Sequence, residues 1–217
     1  MTSLAKGALG LGGIGTVAGG GALAWQQGAF SSKVKSIKEK LISENYQILD
    51  SSNSSWDSIF NVYKKTENQW KFKNDGISES SATTEIQKLK DKCSDALKGD
   101  SEDADEYYKA SKWCVVPRKV ESFLDASSLL NTEESDGTDT SAWEKSLKSF
   151  KETKTGDSGN VKYAMENITI QSPEDDSKKT ENIKAMKSGC KSRRDKWHYE
   201  LDFEKSLTEV KKWCSRT

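Results

Sequence analysis

Lys112-Trp113-Cys114 returns one hundred residues later as Lys212-Trp213-Cys214, and the organisation of the chain can be read outward from that pair. Upstream of each Trp-Cys end lies a second cysteine on an apolar helical pattern: Ile86, Leu89 and Cys93 parallel Ile183, Met186 and Cys190. Further back, Ser55-Trp56 with Phe60 and Tyr63 parallels Ala142-Trp143 with Leu147 and Phe150. Lys33-Val34-Lys35-Ser36-Ile37 parallels Lys119-Val120-Glu121-Ser122-Phe123. Spacings agree, with 22 residues from Val34 to Trp56 and 23 from Val120 to Trp143. Cys93 to Cys114 is 21 and Cys190 to Cys214 is 24. Four landmarks in one order read as an internal duplication. Repeat 1 spans 31–115 and repeat 2 spans 117–217, joined at Val116-Pro117, with the main insertion between Trp143 and Cys190.

The apolar period within each repeat is helical, so the body is expected to be all-α, with about four helices per repeat. Val34, Ile37 and Leu41 share one face of the first helix. Trp56, Phe60 and Tyr63 share one face of the second, with Trp70 a heptad further on. Ser141-Ala142-Trp143-Glu144 and Thr84-Glu85-Ile86-Gln87 carry capping-box patterns. The strongest strand-like stretch is Asn167-Ile168-Thr169-Ile170, and 74–83, 131–140 and 154–182 read as loops. The helically spaced aromatics read as core, because a chain poor in aliphatics must bury them to offset chain entropy.

The 217 residues carry 34 basic and 34 acidic side chains, with hydrophobic residues at 33%. Zero net charge excludes a broadly basic nucleic-acid binder, so no nucleic-acid partner is expected. The charge is unevenly placed. Only Lys6 is charged in the first 30 residues, and none of the 26 residues between Lys6 and Lys33 is. Gly7–Trp25 is 19 residues long with Thr16 its only polar side chain. As a helix it would span about 28 Å, close to a bilayer's hydrocarbon core. Residues 1–30 therefore read as a signal peptide or a signal anchor. A signal would be cleaved after Ala22-Leu23-Ala24, whereas an anchor would hold the membrane through residues 7–25. Gly15-Thr16-Val17-Ala18-Gly19 fits the small-xxx-small packing pattern. A phosphate-cradling loop is disfavoured, because no GxxxxGK[ST] is present. Lys33, Lys35, Lys38 and Lys40 would favour a cytoplasmic body by the positive-inside rule, while the cysteines favour an oxidising exterior.

Four cysteines allow three pairings. The duplication favours Cys93–Cys114 and Cys190–Cys214, each repeat closing on itself; buried free thiols are the alternative. Cys/His zinc spacing is absent. His198, the single histidine, argues against a histidine-based metal site or triad. Its context, Arg193-Arg194-Asp195-Lys196-Trp197-His198, has no counterpart in repeat 1 and reads as a solvated amphipathic helix face. The acidic run from Asp100 to Glu106 lacks the glycine and terminal glutamate of a calcium loop and reads as a helix N-terminus. No catalytic residue, cofactor or metal ligand is singled out.

Met1-Thr2-Ser3-Leu4-Ala5-Lys6-Gly7 leading into Gly-rich apolar sequence, Leu41-Ile42-Ser43, Ser55-Trp56 and the Trp-Cys ends occur together. That combination resembles the large paralogous protein families of hemotropic mycoplasmas. The resemblance implies no enzymatic role and points to exported, variable surface proteins. The expectation is a non-enzymatic surface protein contacting host molecules or host immunity, at the cell membrane with an extracellular body, or secreted after cleavage near Ala24. An exported enzyme or processing factor, or an envelope scaffold associating with paralogues, are the alternatives. The sequence sets no oligomeric state.

Overall fold

The computed structural model describes residues 35–156 and 161–216. The expected leader, 1–30, and its membrane segment, 7–25, lie outside the described residues. The described chain is helical. Its α-helices are α1 (Ile37–Ser43), α2 (Ser55–Tyr63), α3 (Ile86–Ala96), α4 (Ala104–Trp113), α5 (Thr140–Lys151), α6 (Lys179–Arg194) and α7 (Phe203–Trp213). Short 3-10 turns lie between them, and the only β pairing among the described residues is a set of isolated antiparallel bridges. No helix among them is long and apolar enough to cross a membrane.

Helix faces follow from spacing. On α5, Trp143, Ser146, Leu147 and Phe150 are buried, a stripe at i, i+3, i+4 and i+7. On α2 the stripe is Trp56, Ile59, Phe60 and Tyr63. α1 opens with a reciprocal capping box: Glu39 N–H donates to Ser36 Oγ at 3.2 Å, and Ser36 N–H to the Glu39 carboxylate at 2.9 Å. α4 is capped by Asp103, whose Oδ1 accepts from the N–H groups of Asp105 and Glu106, so the acidic run serves as a helix start.

Several boundaries differ from the sequence reading. α2 stops at Tyr63, because Asn68 Nδ2 donates to the Tyr63 carbonyl at 2.7 Å while its Oδ1 takes the Trp70 N–H at 2.9 Å. Trp70 therefore sits on a turn, not on the α2 face. Neither expected capping box starts its helix: Asp139 stands at the N-cap of α5, and a 3-10 turn over Thr83–Glu85 precedes α3. Val120–Phe123 is a 3-10 turn rather than an α-helix, held by Arg118 Nη2 on the Ser122 carbonyl at 2.8 Å. α6 begins at Lys179, inside the stretch read as a loop, after Asp175 caps a 3-10 turn through the Ser177 N–H. Asn167–Ile170 forms no strand; Ile168 and Ile170 are buried and Thr169 exposed.

Two hydrophobic clusters form. The first gathers Ile37, Leu41, Trp56, Phe60, Tyr63, Leu89 and Trp113, with Tyr199 reaching in from the far end of the chain. The second gathers Val120, Leu130, Trp143, Phe150, Met186, Val210 and Trp213. Their contacts correspond. Leu49 N–H donates to the Cys114 carbonyl at 2.9 Å, and Leu130 N–H to that of Cys214 at 3.0 Å. Ile37 N–H bonds the Gly99 carbonyl at 2.9 Å, and Val120 N–H that of Lys196 at 2.8 Å. Trp56 Nε1 donates to the Asp50 carbonyl at 2.8 Å, and Trp143 Nε1 to that of Asn131 at 3.0 Å. Trp113 stands edge-on to Tyr63 at 5.1 Å and Trp213 edge-on to Phe150 at 5.6 Å. One difference is chemical: Trp113 Nε1 donates to the Trp70 carbonyl at 2.9 Å, whereas buried Trp213 Nε1 has no partner.

Candidate functional site

The four cysteines form two disulfides, Cys93–Cys114 and Cys190–Cys214, with Cα–Cα distances of 5.4 and 5.7 Å. Each joins the helix carrying its first cysteine, α3 or α6, to the C-terminal end of the next helix, α4 or α7. Each therefore fixes where the last helix of its cluster docks. No free cysteine remains among the described residues.

The two clusters meet at a joint built from α4, the linker after it, and the loop between α6 and α7. Lys112 is buried, and its Nζ donates to the carbonyls of His198 at 3.1 Å and Glu200 at 2.9 Å. The ammonium also lies over the rings of Trp70 at 5.0 Å, Trp113 at 5.4 Å and Phe203 at 5.8 Å. Burial pulls its pKa down to about 8, opposed by the carboxylates of Glu204, Asp202 and Glu200. Tyr108 reaches across to Glu204 at 3.2 Å, and burial raises its phenol above the ordinary range.

His198 and Arg118, both within 117–217, bond each other twice. His198 N–H donates to the Arg118 carbonyl at 2.9 Å, and Arg118 N–H donates to His198 Nδ1 at 3.1 Å. The imidazole packs against Phe123, Tyr199 and Phe203, and its Nε2 is buried without a hydrogen-bond partner. Burial first, and then the Lys112 charge, lower its pKa to about 4. The reading of 193–198 as a solvated helix face is thus corrected. α6 ends at Arg194. Arg193 is buried and pairs with buried Glu209, and His198 is 4% exposed. Lys196 pairs with Asp202, and Trp197 alone of the stretch is a large exposed hydrophobic. The sequence held only a faint signal for this: the second cysteine pair is separated by 24 residues against 21 for the first, and the α6–α7 loop, 195–202, takes one of the additional residues relative to the α3–α4 loop, 97–103.

A groove of about 670 Å³ crosses the second cluster between α6, α7 and 166–171. Its charges are already paired. Arg193 holds Glu209, Lys205 holds Glu166 at 2.8 Å and Lys196 holds Asp202. One Glu209 oxygen, Oε1, is buried and unpaired beneath it. No group of three or more histidine, cysteine, aspartate or glutamate side chains among the described residues is placed to hold a metal ion. Among the described residues, no hydrogen bond joins the His198 imidazole to a carboxylate or a hydroxyl. No protein-family model matches the chain, and neither does a curated protein or a solved structure.

Proposed function

We propose that this chain is a non-enzymatic surface protein, exported or membrane-anchored through residues 1–30, whose helical body contacts host molecules or host immunity. The observation that carries the reading is the pair of disulfides, one in each cluster, because such bonds persist in oxidising, extracytoplasmic settings. The uncharged stretch between Lys6 and Lys33 supplies the means of export or anchoring. Within the body, 31–115 and 117–217 are two similar helical repeats; the matched hydrogen bonds and ring contacts support that reading. The resemblance to the paralogous surface families of hemotropic mycoplasmas points the same way. Arg193, Lys205 and Lys196 are engaged by carboxylates of the same chain, which suits a display scaffold better than a reaction centre.

Protease treatment of intact cells that make the protein tests the reading. The body should be digested while a cytoplasmic marker survives. Full protection of the body, with digestion restored on lysis, would contradict it.

A further inference from the structure

We propose that the groove between α6, α7 and 166–171 binds a neutral oligosaccharide. The proposal rests on the reading that the body contacts host molecules, and it names the chemistry met at this site. The groove exists because α6 lacks bulk along one stripe. Ala185, Ser188, Gly189 and Ser192 line it, spaced at i, i+3, i+4 and i+7 on one helix face. Counted from the paired cysteines, the same positions on α3 are Lys88, Asp91, Lys92 and Asp95. Those charged side chains are engaged within the first half. Lys92 Nζ donates to the Lys73 carbonyl at 2.8 Å, Asp91 accepts from Gln87 at 2.8 Å, and Lys88 pairs with Glu85. One cluster thus presents a self-satisfied charged face, and the other a hollow of about 670 Å³, the size of a small-ligand site.

A second observation points to a ligand. Glu209 lines the groove and is only 5% exposed. Its Oε2 accepts from Arg193 Nε, but its Oε1 is buried with no hydrogen-bond partner, and an acceptor left unmet at that depth is costly. On α4 the equivalent position holds Lys109, whose Nζ is satisfied by Asp105 at 2.6 Å. Because Arg193 already neutralises Glu209, the spare oxygen calls for a donor and not for a cation. Lys205 with Glu166 and Lys196 with Asp202 are paired as well, so the walls select neither sign of charge. What stays free is neutral: the side chains of Asn167, Thr169, Ser188 and Ser192 make no hydrogen bond to another described residue. Hydroxyls and carboxamides both donate and accept, and sugar hydroxyls ask for both. A peptide would need apolar pockets for its anchoring side chains, whereas Ile168 and Ala185 are the only apolar side chains lining the groove among the described residues.

NMR titration of the isotope-labelled full chain, disulfides intact, tests the proposal. The probes are lactose, N-acetyllactosamine, maltose and mannobiose in the millimolar range, with sialyllactose and a lysine tripeptide in parallel. At least one neutral sugar should shift the amides of 166–171, 188–192 and 205–209 saturably, while those of α2 and α3 stay still. Ser188→Asp combined with Ser192→Asp changes exposed positions to the residues that α3 carries there. It should weaken that binding by about tenfold or more and leave the rest of the spectrum in place. Should the double variant misfold, Thr169→Glu on the opposite wall should weaken binding likewise. Silence of these amides with every neutral sugar, response to sialyllactose or the tripeptide alone, or undiminished binding by a folded variant would each overturn the proposal. The surface reading is judged separately: a silent titration leaves it standing, and protection of the body from protease on intact cells would remove it without altering the titration.

Discussion

Lys112 and His198 are 86 residues apart in sequence, yet the ammonium of one donates to the carbonyl of the other inside the protein. A charge so buried is tolerated because two carbonyls and three aromatic faces replace its hydration. Its counterpart, Lys212, is exposed and lies over Trp213 at 4.7 Å. The same tripeptide thus performs two different tasks.

Lys112→Ala should cost about 2–3 kcal/mol, since it strands two carbonyls and removes the packing of the lysine stem. Lys212→Ala should stay within about 0.5 kcal/mol. Urea unfolding of the two variants side by side measures the contrast; equal effects would show that the joint adds nothing to stability.

Gly189 on α6 permits close approach of the 166–171 segment. A Cβ there would stand 2.2 Å from Ile168 Cδ1 and 2.7 Å from Cγ1. Gly189→Ala should therefore displace Ile168 and cost about 1–3 kcal/mol despite alanine's higher helix propensity. Exchange should quicken first in 166–171; a variant more stable than the parent would refute this packing.

Asp139 accepts the Asn131 N–H at 2.6 Å and the Arg216 guanidinium at 2.8 Å. The Asn131 bond first, and then Arg216, lower its pKa. With the folded value below the unfolded one, this stabilisation is complete above about pH 4, the unfolded carboxyl's range, and fades as pH falls through the folded value. Asp139→Ala should cost about 1–2 kcal/mol at neutral pH and much less in strong acid. A cost unchanged down to the acid limit would contradict the charge-assisted account.

The sequence made the frame legible where spacing reports burial. Trp56, Phe60 and Tyr63, and Trp143, Leu147 and Phe150, occupy the buried stripes their period implies, and the Trp-Cys ends mark the last helix of each cluster. Legibility failed where a side chain's fate is set by distant partners. Arg193 looks solvated until Glu209, on the next helix, neutralises it. His198 looks peripheral until Arg118, from the linker, takes its Nδ1. Trp70 keeps helical spacing, but Asn68 turns the chain before it. The difference between cysteine spacings of 21 and 24 was visible from the start, yet nothing in the loop's polar composition announced that Tyr199 would enter the first core.

The disulfides bear on stability as well as setting. Each closes a loop of 21 or 24 residues, so Cys93→Ser and Cys190→Ser should each cost about 2–4 kcal/mol. Exchange should rise chiefly in the cluster that loses its bond. Equal loosening of both clusters by either variant would show that they unfold as one unit.

The most direct test of the proposal that the twice-clipped body is exported is the state of its cysteines in the cell. Protein taken from intact cells under thiol-blocking conditions, digested without reductant and mapped by mass, should yield two linked pairs, Cys93 with Cys114 and Cys190 with Cys214. Four blocked thiols would contradict an extracellular body, and a cross-pair such as Cys93 with Cys190 would contradict the closure of each half on itself.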